Sequence, residues 1–229
     1  MSIKQFDRAE VLKLLKSNHK EAILYYDLKG ADLRGADLSD ASLNGANLSC
    51  ANLKGAKFTN SFLEGVVFKG ANLTNSFFYG AVFDGADFRG AFLMGADLNN
   101  ADLRHANLNG ANFSGAKVWC ADLSGVNLTN ADFKGANLSG ANLRGANLNG
   151  ANLNGADLRG ANLDHSCYPL SRDSLHLKAD KRLACQLAYH LCSIQCDDAD
   201  YIKMRSSILD FANQFHRVDE CGKLEERKI

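Results

Sequence analysis

From Tyr26 to His165 the chain runs in a fixed five-residue order of apolar and polar positions, without insertion, for 28 units. Each unit reads Ala, then Asn or Asp, then Leu or Phe, then a polar residue, then usually Gly. Ala31-Asp32-Leu33-Arg34-Gly35 is one copy and Ala146-Asn147-Leu148-Asn149-Gly150 another. The first position is Ala in 23 units. The third is Leu in 20, Phe in seven (58, 68, 78, 83, 88, 113 and 133) and Val118 once. A period of five fits neither the 3.6 of a helix nor the two of a strand. A helix would spread the leucines around its circumference, and a strand would flip them between faces. Gly closing each unit, with Asn or Asp nearby, favours a turn in every unit. The chain must bend every five residues with Leu or Phe always inside, and the successive coils must share one core.

The flanks follow other periods. Asp7 is placed to cap a short amphipathic helix over residues 7–17, with Glu10 three residues on and Val11, Leu12, Leu14 and Leu15 at helical spacing. Ile23 and Leu24 then lead into the first coil. Beyond Tyr168, Pro169 lacks a backbone donor and suits a terminator. Leu183, Leu187, Leu191 and Ile194 form one helical stripe after it, and Cys185, Tyr189, Cys192 and Cys196 a second. Asp197 or Asp198 interrupts and can cap a second helix carrying Tyr201, Met204, Ile208, Phe211 and Phe215. The pattern predicts a helical hairpin with broad apolar faces. Three domains are expected: an N-terminal cap (1–25), the repeat array (26–165) and a C-terminal helical tail (166–229).

The array resembles the pentapeptide-repeat family, whose signature A(D/N)LXX it repeats over about 61% of the chain. The resemblance implies an all-β solenoid, a right-handed quadrilateral β-helix with four units per coil. Ala and Leu/Phe would point inward and the other three positions outward. On that basis 28 units make about seven coils, a shaft about 34 Å long at roughly 4.8 Å per strand. A solenoid leaves open ends, so the N-terminal helix is expected to cap one. The tail would cap the last coil, fold back on the shaft or meet a second chain.

Composition narrows the function by exclusion. Lys plus Arg and Asp plus Glu both total 26, so no long-range field draws in nucleic acid or a charged membrane. The N-terminal residues lack the apolar run of a signal peptide, and the default location is the cytoplasm. Seven cysteines at irregular spacing read as buried hydrophobes or free thiols. Cys185, Cys192, Cys196, Cys221, His190 and His216 lack the tight pairs of a zinc site, so no metal is expected. His105 and His165 fill the outward fifth position as surface residues. No nucleophile elbow, phosphate loop or carboxylate pair appears, so neither catalysis nor a cofactor is expected.

Two binding readings remain. Some members of the resembling family mimic a DNA duplex and bind type II topoisomerases. Asp holds the second position in nine units here, yet residues 26–165 carry 13 acids against 11 bases. A duplex presents about one charge per 1.7 Å, far more than this shaft. The better-supported reading is a non-catalytic scaffold for protein–protein contact. Phe62, Val67, Phe77, Tyr79, Val82, Phe92, Met94 and Trp119 stand at outward positions that should be polar, and exposed aromatics mark contacts. With columns repeating every 20 residues, Phe62 lies beside Val82, and Tyr79 shares a column with Trp119. A wider coil around the neighbouring core phenylalanines is the structural alternative. The chain's own tail or a second subunit would cover the patch, with a homodimer favoured.

Overall fold

The computed structural model describes residues 7–15, 27–167, 179–181, 184, 185, 187, 188, 206 and 209, without the side chains of 8, 12 and 15. The chain divides into two compact units, 1–178 and 179–229, each described by itself.

In the first unit every five-residue repeat makes one side of a coil and one turn. The turn falls on the fourth and fifth residues. It is closed by a backbone bond such as Ala36 N–H to the Leu33 carbonyl, 3.1 Å. The fifth residue lies in the left-handed region, with φ of 66° at Gly35, the pattern of a type II turn. Parallel bridges join residue i to i+20 from Asp32↔Asn52 to Asn147↔Cys167. Four repeats therefore complete each coil, and equivalent residues stack in columns along four sides.

The backbone donors of a unit are fully accounted for, which explains the second residue. In the unit 31–35, Ala31 N–H closes the preceding turn and Leu33 N–H donates to Asn52 O on the next coil. Gly35 N–H likewise donates to Lys54 O. One coil on, Asn52 N–H donates back to Ala31 O. The fourth residue's N–H has no backbone acceptor in this scheme. It donates instead to the side chain two residues earlier, Arg34 N–H to Asp32 Oδ1 at 3.3 Å. The same bond recurs at Ser114 to Asn112 and Asn154 to Asn152. Asn or Asp at the second position is thus an internal cap, the Asx turn of this lattice.

First and third residues fill the core. Ala and Leu or Phe are buried from Leu28 to Leu163. The inside/outside assignment read from the sequence holds along this stretch. Where serine replaces alanine at Ser61 and Ser76, the buried hydroxyl donates to Phe58 O and Leu73 O, so no polar atom is left unsatisfied. Phe58 stacks on Phe78 at 4.9 Å and Phe68 on Phe88 at 5.1 Å, with Phe83 edge-on to Phe78 and Phe88. Five rings from three successive coils form one aromatic block.

Helix α1 spans Arg8–Leu15. Asp7 Oδ1 accepts Glu10 N–H at 2.9 Å and Asp7 O accepts Val11 N–H at 3.0 Å, a standard N-cap geometry. Val11 is buried. Residues 16–26, including Ile23 and Leu24, fall outside the described part. In the second unit Lys181, Ala184, Cys185, Leu187, Ala188, Ser206 and Leu209 are helical. Ala184 N–H donates to Asp180 O, and Cys185 and Leu209 are buried. Leu187 is half-buried. Pro169, Leu183, Leu191, Ile194, Tyr201, Met204, Ile208, Phe211 and Phe215 lie outside the described residues.

Candidate interaction surface

Side-chain direction alternates along each side of the coil, so the second and fourth residues project outward. Six large apolar side chains occupy such positions and stand 39–51% exposed: Phe62, Phe77, Tyr79, Phe92, Met94 and Trp119. Val67 and Val82 are half-buried. The 20-residue register assigns them to sides. Phe62 pairs with Val82 on one side, and Phe77 lies on the next, between Lys57 and Asp97. Phe92 lies between Asn72 and Asn112 on the side beyond that, and Val67 sits on the fourth between Asn47 and Asp87. Tyr79 and Trp119 share Phe77's side two coils apart, separated by Asn99, whose Oδ1 accepts Trp119 N–H at 3.0 Å. The apolar groups therefore wrap round the corners of the middle coils.

On the Phe92 side an open groove is lined by Cys50, Asn52, Asn72, Thr74, Phe92 and Met94. None of its walls carries a charge. Among the described residues no group of three His, Cys, Asp or Glu side chains is placed to hold a metal ion. Cys50, Cys120 and Cys167 are exposed free thiols and Cys185 is a buried one. Cys192, Cys196, Cys221, His190 and His216 lie outside the described residues.

Four of the nine second-position aspartates are paired with an arginine of their own unit. Asp32, Asp87, Asp102 and Asp157 each hold the arginine two residues on, the fourth residue of the same unit, through paired contacts. Arg89 Nε and Nη2 reach Asp87 at 2.9 and 2.6 Å, and Arg159 reaches Asp157 at the same distances. The hydrogen bond from Arg89 holds the Asp87 carboxyl below its ordinary range, against a smaller opposing effect of burial, and Arg104 does the same for Asp102. The guanidinium partners are raised in turn, Arg34, Arg89, Arg104 and Arg159 alike. An arginine two residues after the aspartate is the sequence signal that its charge is neutralised in place.

His105 was expected as a surface residue. It is exposed, but it also occupies the left-handed corner at φ 57° and its Nδ1 lies 2.9 Å from Asp84 Oδ1. His165 adopts the same backbone conformation at φ 60°.

A four-sided coil of five-residue sides, capped by Asx bonds and filled by Ala and Leu, defines a class of repeat solenoid. The chain belongs to the pentapeptide repeat family: the model for pentapeptide repeats matches residues 27–65, 63–100, 93–130 and 127–164. Membership implies the right-handed β-helix. Several solved structures are similar. HetL, a pentapeptide repeat protein involved in heterocyst differentiation regulation in the cyanobacterium Nostoc sp. Strain PCC 7120, is 28% identical, covering 69% of this chain and 75% of that one at a TM-score of 0.49. QnrB1, a plasmid-mediated fluoroquinolone resistance protein, is 20% identical over 72% of this chain and 96% of its own, TM-score 0.37. A pentapeptide repeat protein of the Arabidopsis thaliana thylakoid lumen is 31% identical over 51% of this chain and 68% of its own, TM-score 0.24. No curated protein matches the chain. Among the described residues, no helix is long and apolar enough to cross a membrane.

Proposed function

We infer that this is a non-catalytic scaffold that binds protein through the sides of its shaft. One observation carries the reading: six large apolar side chains stand about half-exposed at outward positions of the middle coils, where the repeat otherwise places polar residues. Aromatic groups on a backbone already fixed by bonds to the coils on either side lose little freedom on binding. Side chains of this type dominate contact energies when buried at the centre of an interface. The apolar groove and the internally paired aspartates offer no convergent acid, base or nucleophile. The same pairing weighs against a topoisomerase-binding duplex mimic, because the four Asp–Arg pairs leave alternating charge where a duplex is uniformly negative.

The test is affinity capture from native lysate under matched conditions. It compares the wild-type chain with a Phe62→Ser, Phe92→Ser double variant and with Phe77→Ser. Specific protein partners, a second copy included, are expected on the wild type and lost on at least one variant. Retention of every partner by both variants overturns the reading. A gyrase supercoiling assay run alongside is expected to show no effect. Protection of the enzyme at stoichiometric concentration would install the mimic in its place.

A further inference from the structure

The four sides of the shaft are not equivalent, and the difference lies in their second-residue columns. Asn or Asp caps the turn at most second positions, and only two of the 28 units carry a base there, Lys57 and Lys117. The register places both in one column, which reads Asp37, Lys57, Phe77, Asp97, Lys117 over five successive coils and continues through Asn137 to Asp157. Counted from Phe77, the charges are opposite at equal distances. One coil before is positive and one coil after negative; two before is negative and two after positive. The other three columns contain acids and no base. Three members of this column, Lys57, Phe77 and Lys117, lack the side-chain acceptor that caps the turn elsewhere, so local folding does not account for them.

An array of that symmetry is complementary to its own reverse. We propose that this side docks a second copy of the chain, antiparallel, about a two-fold axis lying in the interface along the Phe77 rung. The rotation keeps the column opposite itself and reverses its order. Phe77 then packs on the partner's Phe77, Lys57 meets the partner's Asp97, and Asp37 meets the partner's Lys117, each ion pair occurring twice. Tyr79, on the same rung, meets its counterpart. A parallel two-fold would set Lys57 against lysine and Asp97 against aspartate, so the charges select the reversed arrangement. Within one chain Lys117 Nζ lies 3.8 Å from Asp97 Oδ2 on an exposed lysine, a long contact that leaves donors for a second carboxylate. Five rungs at about 4.8 Å span roughly 19 Å, a footprint at the small end of specific interfaces. The dimer is accordingly reversible.

The proposal rests on the scaffold reading and is tested separately from it by sedimentation velocity over a dilution series of the full chain. Wild type is expected to pass from two chains to one as concentration falls. Lys57→Asp and Asp97→Lys each place like charges in opposition twice, and each is expected to weaken association on the order of tenfold or more. Lys57→Asp restores the residue type usual at this position, so it keeps the fold, which a melting curve checks. An equimolar mixture of the two variants makes both pairs opposite again and is expected to recover association near the wild-type level. A wild type that stays a single chain throughout overturns the proposal. So does a dimer that neither variant weakens, or a mixture no better than its components. If the chain is monomeric yet Phe77→Ser still abolishes capture of another protein, the scaffold reading survives alone; if capture is also unaffected by every surface variant, both fail.

Discussion

The fifth residue of each unit sits at φ between 53° and 72°, whether it is glycine or one of nine other residues. For an L-residue that conformation costs about 1–2 kcal/mol; Asn, which holds four of the nine non-glycine corners, tolerates it best. What stands above matters as much. A methyl group built on Gly150 would meet Asn130 Oδ1 at 2.3 Å, whereas one on Gly110 meets nothing. Both glycines share the left-handed φ, so the difference between Gly150→Ala and Gly110→Ala isolates the clash. Gly110→Ala is expected to lower stability by about 1 kcal/mol, and Gly150→Ala by roughly twice that, by denaturant titration. Measured against Asn130→Gly alone, Gly150→Ala should then cost no more than Gly110→Ala does in the wild type. The Asp–Arg pairs predict a pH response. Asp87 and Asp102 have folded-state values below their unfolded ones, so their contribution is present above about pH 4 and fades as pH falls through the lowered folded values. Arg104→Gln should therefore melt below wild type at pH 7, and the two curves should converge as the pH drops toward 2.

At the scale of the rung, the caps and the core divide the work. Asn107 Oδ1 takes Asn109 N–H at 3.2 Å, so Asn107→Ala strands that donor and is expected to cost about 1 kcal/mol. The core is less forgiving. Leu108 is fully buried, and Leu108→Asp should abolish the cooperative melt, while Asn109→Asp leaves it nearly unchanged. Equal melting temperatures would refute the inward and outward assignment. Phe78→Ala opens a hole in the aromatic block and is expected to cost about 3–5 kcal/mol. The inside and outside of each rung were legible because alanine and leucine recur at fixed places. The cap was not legible from the same pattern. Asn and Asp at the second position look like turn formers or surface charge until one asks where the fourth residue's N–H goes, and that question needs the stacked coil. The N-cap at Asp7 was readable because its partner, Glu10 N–H, is three residues away.

Over the whole molecule the repeat conceals what distinguishes one side from another. Phe62, Phe77 and Phe92 stand out in the sequence as breaks in polarity, but their distribution over three sides depends on the 20-residue register. Five-residue periodicity does not contain that register; it came with the family resemblance. The antisymmetric column through Phe77 becomes visible only once residues 20 apart are set side by side. Stability has the same one-dimensional logic, since each rung bonds only to the rungs before and after it. A lesion near one end should then act differently from one in the middle. Leu33 and Leu108 are both fully buried leucines at the third position. Leu33→Asp removes an early rung and leaves later rungs with their neighbours intact, whereas Leu108→Asp parts the array into two shorter stacks. Hydrogen exchange followed by mass spectrometry should find the backbone amides of residues 87–147 still protected in Leu33→Asp and lost in Leu108→Asp. Equal loss in both variants would mean that the shaft unfolds as one unit, with coupling that reaches well beyond adjacent coils.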